Sequence, residues 1–148
     1  MTRWLSIEQQ RAWRSYLLAT TLLMERLDRD LREKHALSMA EYEILVRLSE
    51  QKTRSLRMAE LAASVKNSRS RTTHTVARME AAGLVLRSEC PSDRRGIIAQ
   101  LTAEGYARLA RAAPDHVESV RRSMIDVIGD EDMAVIGQSF AAMVSELE

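Results

Sequence analysis

One stretch, Leu61 to Gly105, leaves this chain few folds to choose from. A compact helix over about 57–65 turns Met58, Leu61, Ala62 and Val65 inward, and Lys66-Asn67-Ser68 makes a tight turn after it. A second helix, about Arg69 to Ala82, carries Arg and hydroxyl side chains until Gly83 stops it. Leu84-Val85-Leu86-Arg87 and Ile97-Ile98-Ala99-Gln100-Leu101 then read as two short strands, with Pro91-Ser92-Asp93-Arg94-Arg95-Gly96 as a basic loop between them. Helix, turn, helix, hairpin is the order of a winged helix-turn-helix. Such a unit lays one helix in the major groove of a duplex and a β-ribbon beside it.

Charge follows the same boundaries. The whole chain carries a net charge of only +1, a poor advertisement for a nucleic-acid partner. From Lys52 to Arg95, however, ten Lys/Arg face four Asp/Glu, whereas the rest of the chain holds twelve against seventeen. A basic module between acidic flanks is the electrostatic footprint of one face that meets phosphate. Charge alone is also compatible with an ordinary solvated surface, so the reading rests on charge and motif order together.

The flanks read as long helices. From about Ser6 to His35, Trp13, Leu17, Thr20, Met24, Leu27 and Leu31 recur at steps of three and four, which builds one apolar stripe. Ser38-Met39-Ala40-Glu41 matches a capping box, and Tyr42, Leu45, Val46 and Leu48 form the apolar side of the helix it starts. Gln51 to Leu56 is polar and basic, a loop or short edge strand. Thr102 can cap a helix with Tyr106, Leu109, Ala113, Val117, Val120, Met124 and Ile128 on one side; Pro114 inside it should bend or break it. Past Gly129-Asp130, Met133, Ile136, Phe140, Met143 and Leu147 mark a last helix. Stripes this long at both ends of 148 residues call for a second copy to cover them, or for folding back within a monomer. The organisation expected is a dimerisation helix over 1–35, the winged helix-turn-helix over 36–101, and further dimerisation helices over 102–148. The fold class is mainly α with a small β-hairpin wing.

Residues 61–105 resemble the MarR family of winged-helix transcriptional regulators. The resemblance is carried by Leu61-Ala62, by the run from Ser70 to Val85, by Asp93-Arg94-Arg95-Gly96, and by Leu101-Thr102 with Gly105. It implies a homodimeric regulator of transcription that binds double-stranded DNA at pseudo-palindromic sites. Repression is the leading reading and activation the other. From the family's recognition helix it implicates Ser68, Arg69, Ser70, Arg71, Thr73, His74 and Arg78. The chemistry agrees, since Arg offers a planar fork to guanine or phosphate and hydroxyls bond phosphates or base edges. Thr72, Val76 and Met79 lie on the opposite, core-facing side. His74 is equally readable as a DNA contact and as a packing residue. In the wing, Arg95 matches the arginine that enters the minor groove, Arg94 is a phosphate candidate, and Asp93 matches the aspartate that holds the loop by pairing with arginines. A simple turn former would also put Asp there.

The resemblance further implies a cleft for a small aromatic or phenolic effector, between the dimerisation helices and the winged domain. Trp13, Tyr16, Met24, His35 and Tyr42 are the candidates to line it, with Arg14 or Arg47 as anion partners; apolar residues at helical spacing more often belong to a core than to a pocket. The single Cys90 cannot form an internal disulfide and stands just before the wing, away from the start of the first helix where some relatives carry a redox cysteine. No cofactor is expected. His35, His74 and His116 lack metal-ligand spacing, so no metal is expected either. No catalytic motif or phosphate-binding glycine loop appears, which argues against an enzyme. With neither a signal-like N-terminus nor a membrane-length apolar run, the expected compartment is the cytoplasm. The alternative is an interaction module whose basic face takes an acidic protein.

Overall fold

The computed structural model describes residues 1–148. It orders them as α1 (Ile7–His35), α2 (Met39–Ser49), β1 (Ser55–Arg57), α3 (Met58–Ser64), α4 (Arg69–Ala81), β2 (Val85–Cys90), β3 (Asp93–Leu101) and α5 (Ala103–Val120). A π-helical turn (Arg121–Ile125), α6 (Asp126–Ile128) and α7 (Asp130–Leu147) complete the chain. The three strands form one antiparallel sheet in the order β1-β3-β2. The class is therefore mainly helical with a small β wing, as expected. The polar Gln51–Leu56 connection ends in the edge strand β1, with Leu56 opposite Ala99 and Arg57 opposite Ile98.

Packing divides the chain into two compact units, Asp28–Pro114 and a terminal unit that joins Met1–Leu27 to Asp115–Glu148. These limits fall inside α1 and α5 rather than after residues 35 and 101.

The central unit has a closed core. Leu31, Leu37, Leu45, Leu48, Leu61, Val76, Met79 and Val85 are all at most 2% exposed. Each is worth about 1.5–3 kcal/mol of burial against an exposed side chain. Short polar devices set the angles between its helices. Ser38 Oγ accepts from Glu41 N at 3.0 Å while Glu41 Oε2 accepts from Ser38 N at 2.9 Å, the reciprocal capping box read from the sequence. Asp28 reaches forward from α1, accepting from Met39 N at 2.8 Å and from Arg32 Nε at 2.6 Å. Burial alone would raise the Asp28 pKa, but these two bonds outweigh it and hold the carboxyl below its ordinary value.

The wing, recognition helix and α5 meet at one small knot. Thr102 Oγ1 donates to the Gly83 carbonyl at 2.7 Å and accepts from Gly105 N at 3.0 Å, while Thr102 N donates to the Leu84 carbonyl at 3.1 Å. Gly83 turns the chain with φ of +77°, a conformation L side chains rarely adopt. Gly105 is required for a different reason: a Cβ there would stand 2.1 Å from the Leu84 carbonyl oxygen.

One expectation is narrowed and one needs correction. α5 runs unbroken through Pro114, and the helical irregularity comes later, in the π turn, where Asp126 N bonds the Arg121 carbonyl five residues back. Proline removes one ladder bond and crowds the carbonyl four residues back, which favours a bend, but the helix on either side is continuous. The wing loop is also shorter than read. Cys90 pairs with Asp93 across a register shift, so β3 begins at Asp93 and only Pro91-Ser92 lie between the strands. The irregularity takes up three residues of β3, Arg94, Arg95 and Gly96, which lie between the partners of Glu89 and Cys90, and lets pairing resume in a stretch whose composition looks like loop.

The terminal unit is built differently. α7 has no buried residue along its whole length. Trp13 stacks on Tyr16, and the Tyr16 ring meets the Phe140 ring edge-on, both at 5.8 Å between centroids. Beside them lies an apolar hollow of about 360 Å³, lined by Tyr16, Thr20, Leu23, Met124, Ile128 and Phe140 among others. Trp13, Leu17, Leu18, Leu22, Val135 and Val144 stay exposed. No helix is long and apolar enough to cross a membrane.

Candidate nucleic-acid interface

α4 is entered through a tight turn in which Lys66 adopts φ of +51° and Asn67 Oδ1 accepts from Ser68 N at 2.9 Å. Ser68 then caps the helix, its Oγ accepting from Arg71 N at 3.1 Å. One face of α4 goes inward: Thr72, Thr75, Val76 and Met79 are buried. The buried hydroxyls are satisfied within the helix, Thr72 by the Ser68 carbonyl at 2.9 Å and Thr75 by the Arg71 carbonyl at 3.0 Å. The opposite face presents Arg69, Ser70, Arg71, Thr73, His74 and Arg78 to solvent, with the exposed cap Ser68 at its start. The helical period sorts these residues into two faces, with Ala77 and Glu80 half-buried at the border.

Arg78 differs from its neighbours because it already has protein partners. Its guanidinium lies 3.8 Å from Glu41 and 3.5 Å from Thr75 Oγ1. Any phosphate contact it makes competes with that arrangement.

The wing brings Asp93, Arg94 and Arg95 to the surface. Asp93 Oδ1 accepts from the Arg95 backbone N–H at 3.0 Å, so its recorded bond shapes the turn rather than pairing with a guanidinium. Cys90 is buried at the base of the turn, with its Sγ 3.3 Å from Ser92 Oγ. Hydrogen bonding from Ser92 is the main influence that lowers its pKa.

Two further arginines join the basic face, and sequence reasoning did not single them out. Arg57, at the end of β1, extends its Nη2 to within 3.4 Å of Ser92 Oγ in the wing turn. Arg87 in β2 is held by Glu80 of α4, whose carboxylate accepts from Arg87 N at 2.8 Å, Nη2 at 3.0 Å and Nε at 3.3 Å. The backbone bond from Arg87 is the first cause of a lowered Glu80 pKa. This buckle joins the last turn of the recognition helix to the wing. Residues 30 apart (57 and 87) converge only through the tertiary fold, so no local spacing could announce them.

The residues considered for an effector cleft fall in both units. Tyr42 is 7% exposed and belongs to the central core, where burial raises its pKa. The His35 carbonyl, also in the central unit, accepts from Arg108 Nη1 at 3.2 Å. Trp13, Tyr16 and Met24 belong to the terminal unit, where Tyr16 lines the apolar hollow and Met24 is exposed.

Comparison with known proteins agrees with this geometry. The pattern of the MarR family matches residues 37–97. AbsC, a MarR family transcriptional regulator from Streptomyces coelicolor, is 42% identical, with 99% of this chain and 98% of AbsC covered and a TM-score of 0.92. Sco3205, a MarR family transcriptional regulator from the same organism solved in complex with DNA, is 44% identical, with 100% of this chain and 92% of Sco3205 covered and a TM-score of 0.96. The HTH-type transcriptional regulator PecS of Dickeya dadantii (strain 3937) is 30% identical over 106 residues, which is 71% of this chain but only 64% of the length of PecS.

Proposed function

Because the chain belongs to the MarR family and is a transcriptional regulator rather than an enzyme, we propose that it is a sequence-specific repressor that binds duplex DNA as a homodimer in the cytoplasm. The observation that carries this reading is the division of α4. Every recognition-helix residue implicated from the sequence is exposed, and the face behind it is locked into the core. An arginine and hydroxyl face of that kind matches the major groove, with Arg71 offering a bidentate fork to a base edge. Beside it, exposed Arg94 and Arg95 suit the negative potential of a narrow minor groove. That the similar Sco3205 was solved in complex with DNA supports DNA as the partner.

Dimerisation is supported by the terminal unit, whose exposed Trp13, Leu17, Leu18, Val135 and Val144 form more apolar surface than a small monomer ordinarily leaves in water. A two-fold dimer meets half-sites about one helical turn, or 10 base pairs, apart. Release by a small aromatic or phenolic effector is supported by the apolar hollow beside Tyr16. A ligand that prefers a dimer with misplaced recognition helices lowers operator affinity by population shift.

The test is a titration of the full chain against its own upstream DNA and a scrambled duplex, at two salt concentrations. Tight, salt-sensitive binding that prefers the native sequence is expected. Equal, weak binding to both duplexes would overturn the reading and favour an acidic protein partner for the basic face.

A further inference from the structure

Between β1, α4 and the wing lies a cavity of about 350 Å³ whose lining includes Arg57, Arg69, Thr73, Arg87, Asp93 and Arg95. Four arginines from four separate elements converge on it, with one carboxylate among them. Like charges brought together cost energy unless an anion completes the arrangement. We propose that this cavity is a socket for a phosphate group, and that Arg57 and Arg87 bind that phosphate together with Arg69, Thr73 and Arg95.

The protein holds these groups in place. Glu80 engages Nε and Nη2 of Arg87, which orients the guanidinium and leaves its Nη1 edge for a ligand. Arg57 is steered by Ser92 through Nη2. Gly96 keeps the space open, since a Cβ there would stand 3.2 Å from Cys90 Cβ and 3.6 Å from Arg57 Nη1. Asp93, the carboxylate among the lining residues, already accepts a backbone N–H, which reduces its opposition to an incoming anion. Guanidinium forks and a threonine hydroxyl match the several oxygens of a tetrahedral phosphate.

Position names the first source. A helix in the major groove and a wing in the minor groove are separated by one sugar–phosphate strand, so a socket between them faces the backbone of the duplex. This deepens the DNA-binding reading and rests on it for that source. A free oligophosphate would present the same chemistry.

The experiment compares the wild-type chain with Arg57→Gln, and with Arg111→Gln as a charge-matched control outside the socket. One arm measures affinity against salt for a duplex selected by the wild-type chain from random sequence. Arg57→Gln should make the log–log salt slope shallower by about one per protomer while leaving base preference unchanged, and Arg111→Gln should leave the slope alone. The other arm titrates inorganic pyrophosphate by calorimetry. Saturable pyrophosphate binding lost in Arg57→Gln adds free phosphates as a source; an altered slope with no pyrophosphate binding assigns the socket to the DNA backbone alone. An unchanged slope together with unchanged or absent pyrophosphate binding overturns the socket while leaving DNA binding intact. If the wild-type chain selects no duplex, the DNA-binding reading fails and pyrophosphate alone decides: binding that needs Arg57 keeps the socket, and no such binding ends it.

Discussion

The two compact units use apolar residues in opposite ways. In Asp28–Pro114 the large side chains are enclosed by the unit itself, with Leu37, Leu45, Leu48 and Leu61 fully buried. In the terminal unit, Leu18 remains 62% exposed, Val135 60% and Val144 53%. Such surface contributes little to holding one copy together, and in the proposed dimer a second copy would cover it. The comparison teaches that stability is local to the central unit and is expected to depend on protein concentration in the terminal one.

The strongest way to break this comparison is at Gly105. A Cβ there meets the Leu84 carbonyl oxygen at 2.1 Å and Leu101 Cδ1 at 2.8 Å, so Gly105→Ala should cost about 3 kcal/mol or more in urea unfolding, whatever the protein concentration. A tolerated alanine would mean the central unit is far more pliable than its packing indicates. The second substitution is Val144→Asp, on the exposed face of α7. It should leave the central unit folded and weaken self-association roughly a hundredfold or more, because burying an unpaired carboxylate at an interface is costly. Analytical ultracentrifugation checks this, and an unchanged association would move the dimer contact off α7. Third, Arg71→Ala should weaken operator binding by roughly 1–3 kcal/mol and relax preference at one base position, with thermal stability unaltered. Unchanged operator affinity in Arg71→Ala would remove Arg71 from base reading.

The smallest effect is an acid one. Asp28 and Glu80 both titrate below their ordinary values in the folded chain. A depressed folded pKa contributes stability that is complete above the unfolded value, about 4, and is lost as pH falls through the folded value. Asp28→Asn should therefore narrow the gap between stability at pH 7 and at pH 3. Thermal melts at the two pH values measure it, and an undiminished gap would assign the acid sensitivity to other carboxylates.

What the sequence disclosed was whatever repeats over short distances. The 3.6-residue period of α4 separates Arg71, Thr73 and His74 from Thr72, Val76 and Met79, and the structure keeps that division. The Ser38 cap was legible because its partner, Glu41, stands three residues away. The wing was legible as a hairpin but not in extent. Pro91 to Gly96 has the composition of a loop, yet pairing across the bulge draws Asp93, Arg94 and Arg95 into β3. Non-local contacts were invisible. Nothing near Arg78 in the chain announces Glu41, and nothing near Arg57 announces Ser92. The Glu80–Arg87 buckle spans only seven residues, but the turn at Gly83 must be known before the two can be paired.

The π turn has a consequence for how this protein tolerates change in length. Its i-to-i+5 bond lets five residues do the work of four, so each side chain beyond Ile125 arrives about 100° away from where unbroken α-helical counting puts it. The turn is a stored insertion. Removing one residue between 121 and 125 lets the stretch close as ordinary α-helix, with everything downstream still aimed as before. The same deletion a few turns earlier, in regular helix, swings the remainder of the helix by about 100° and carries its apolar face away from its neighbours.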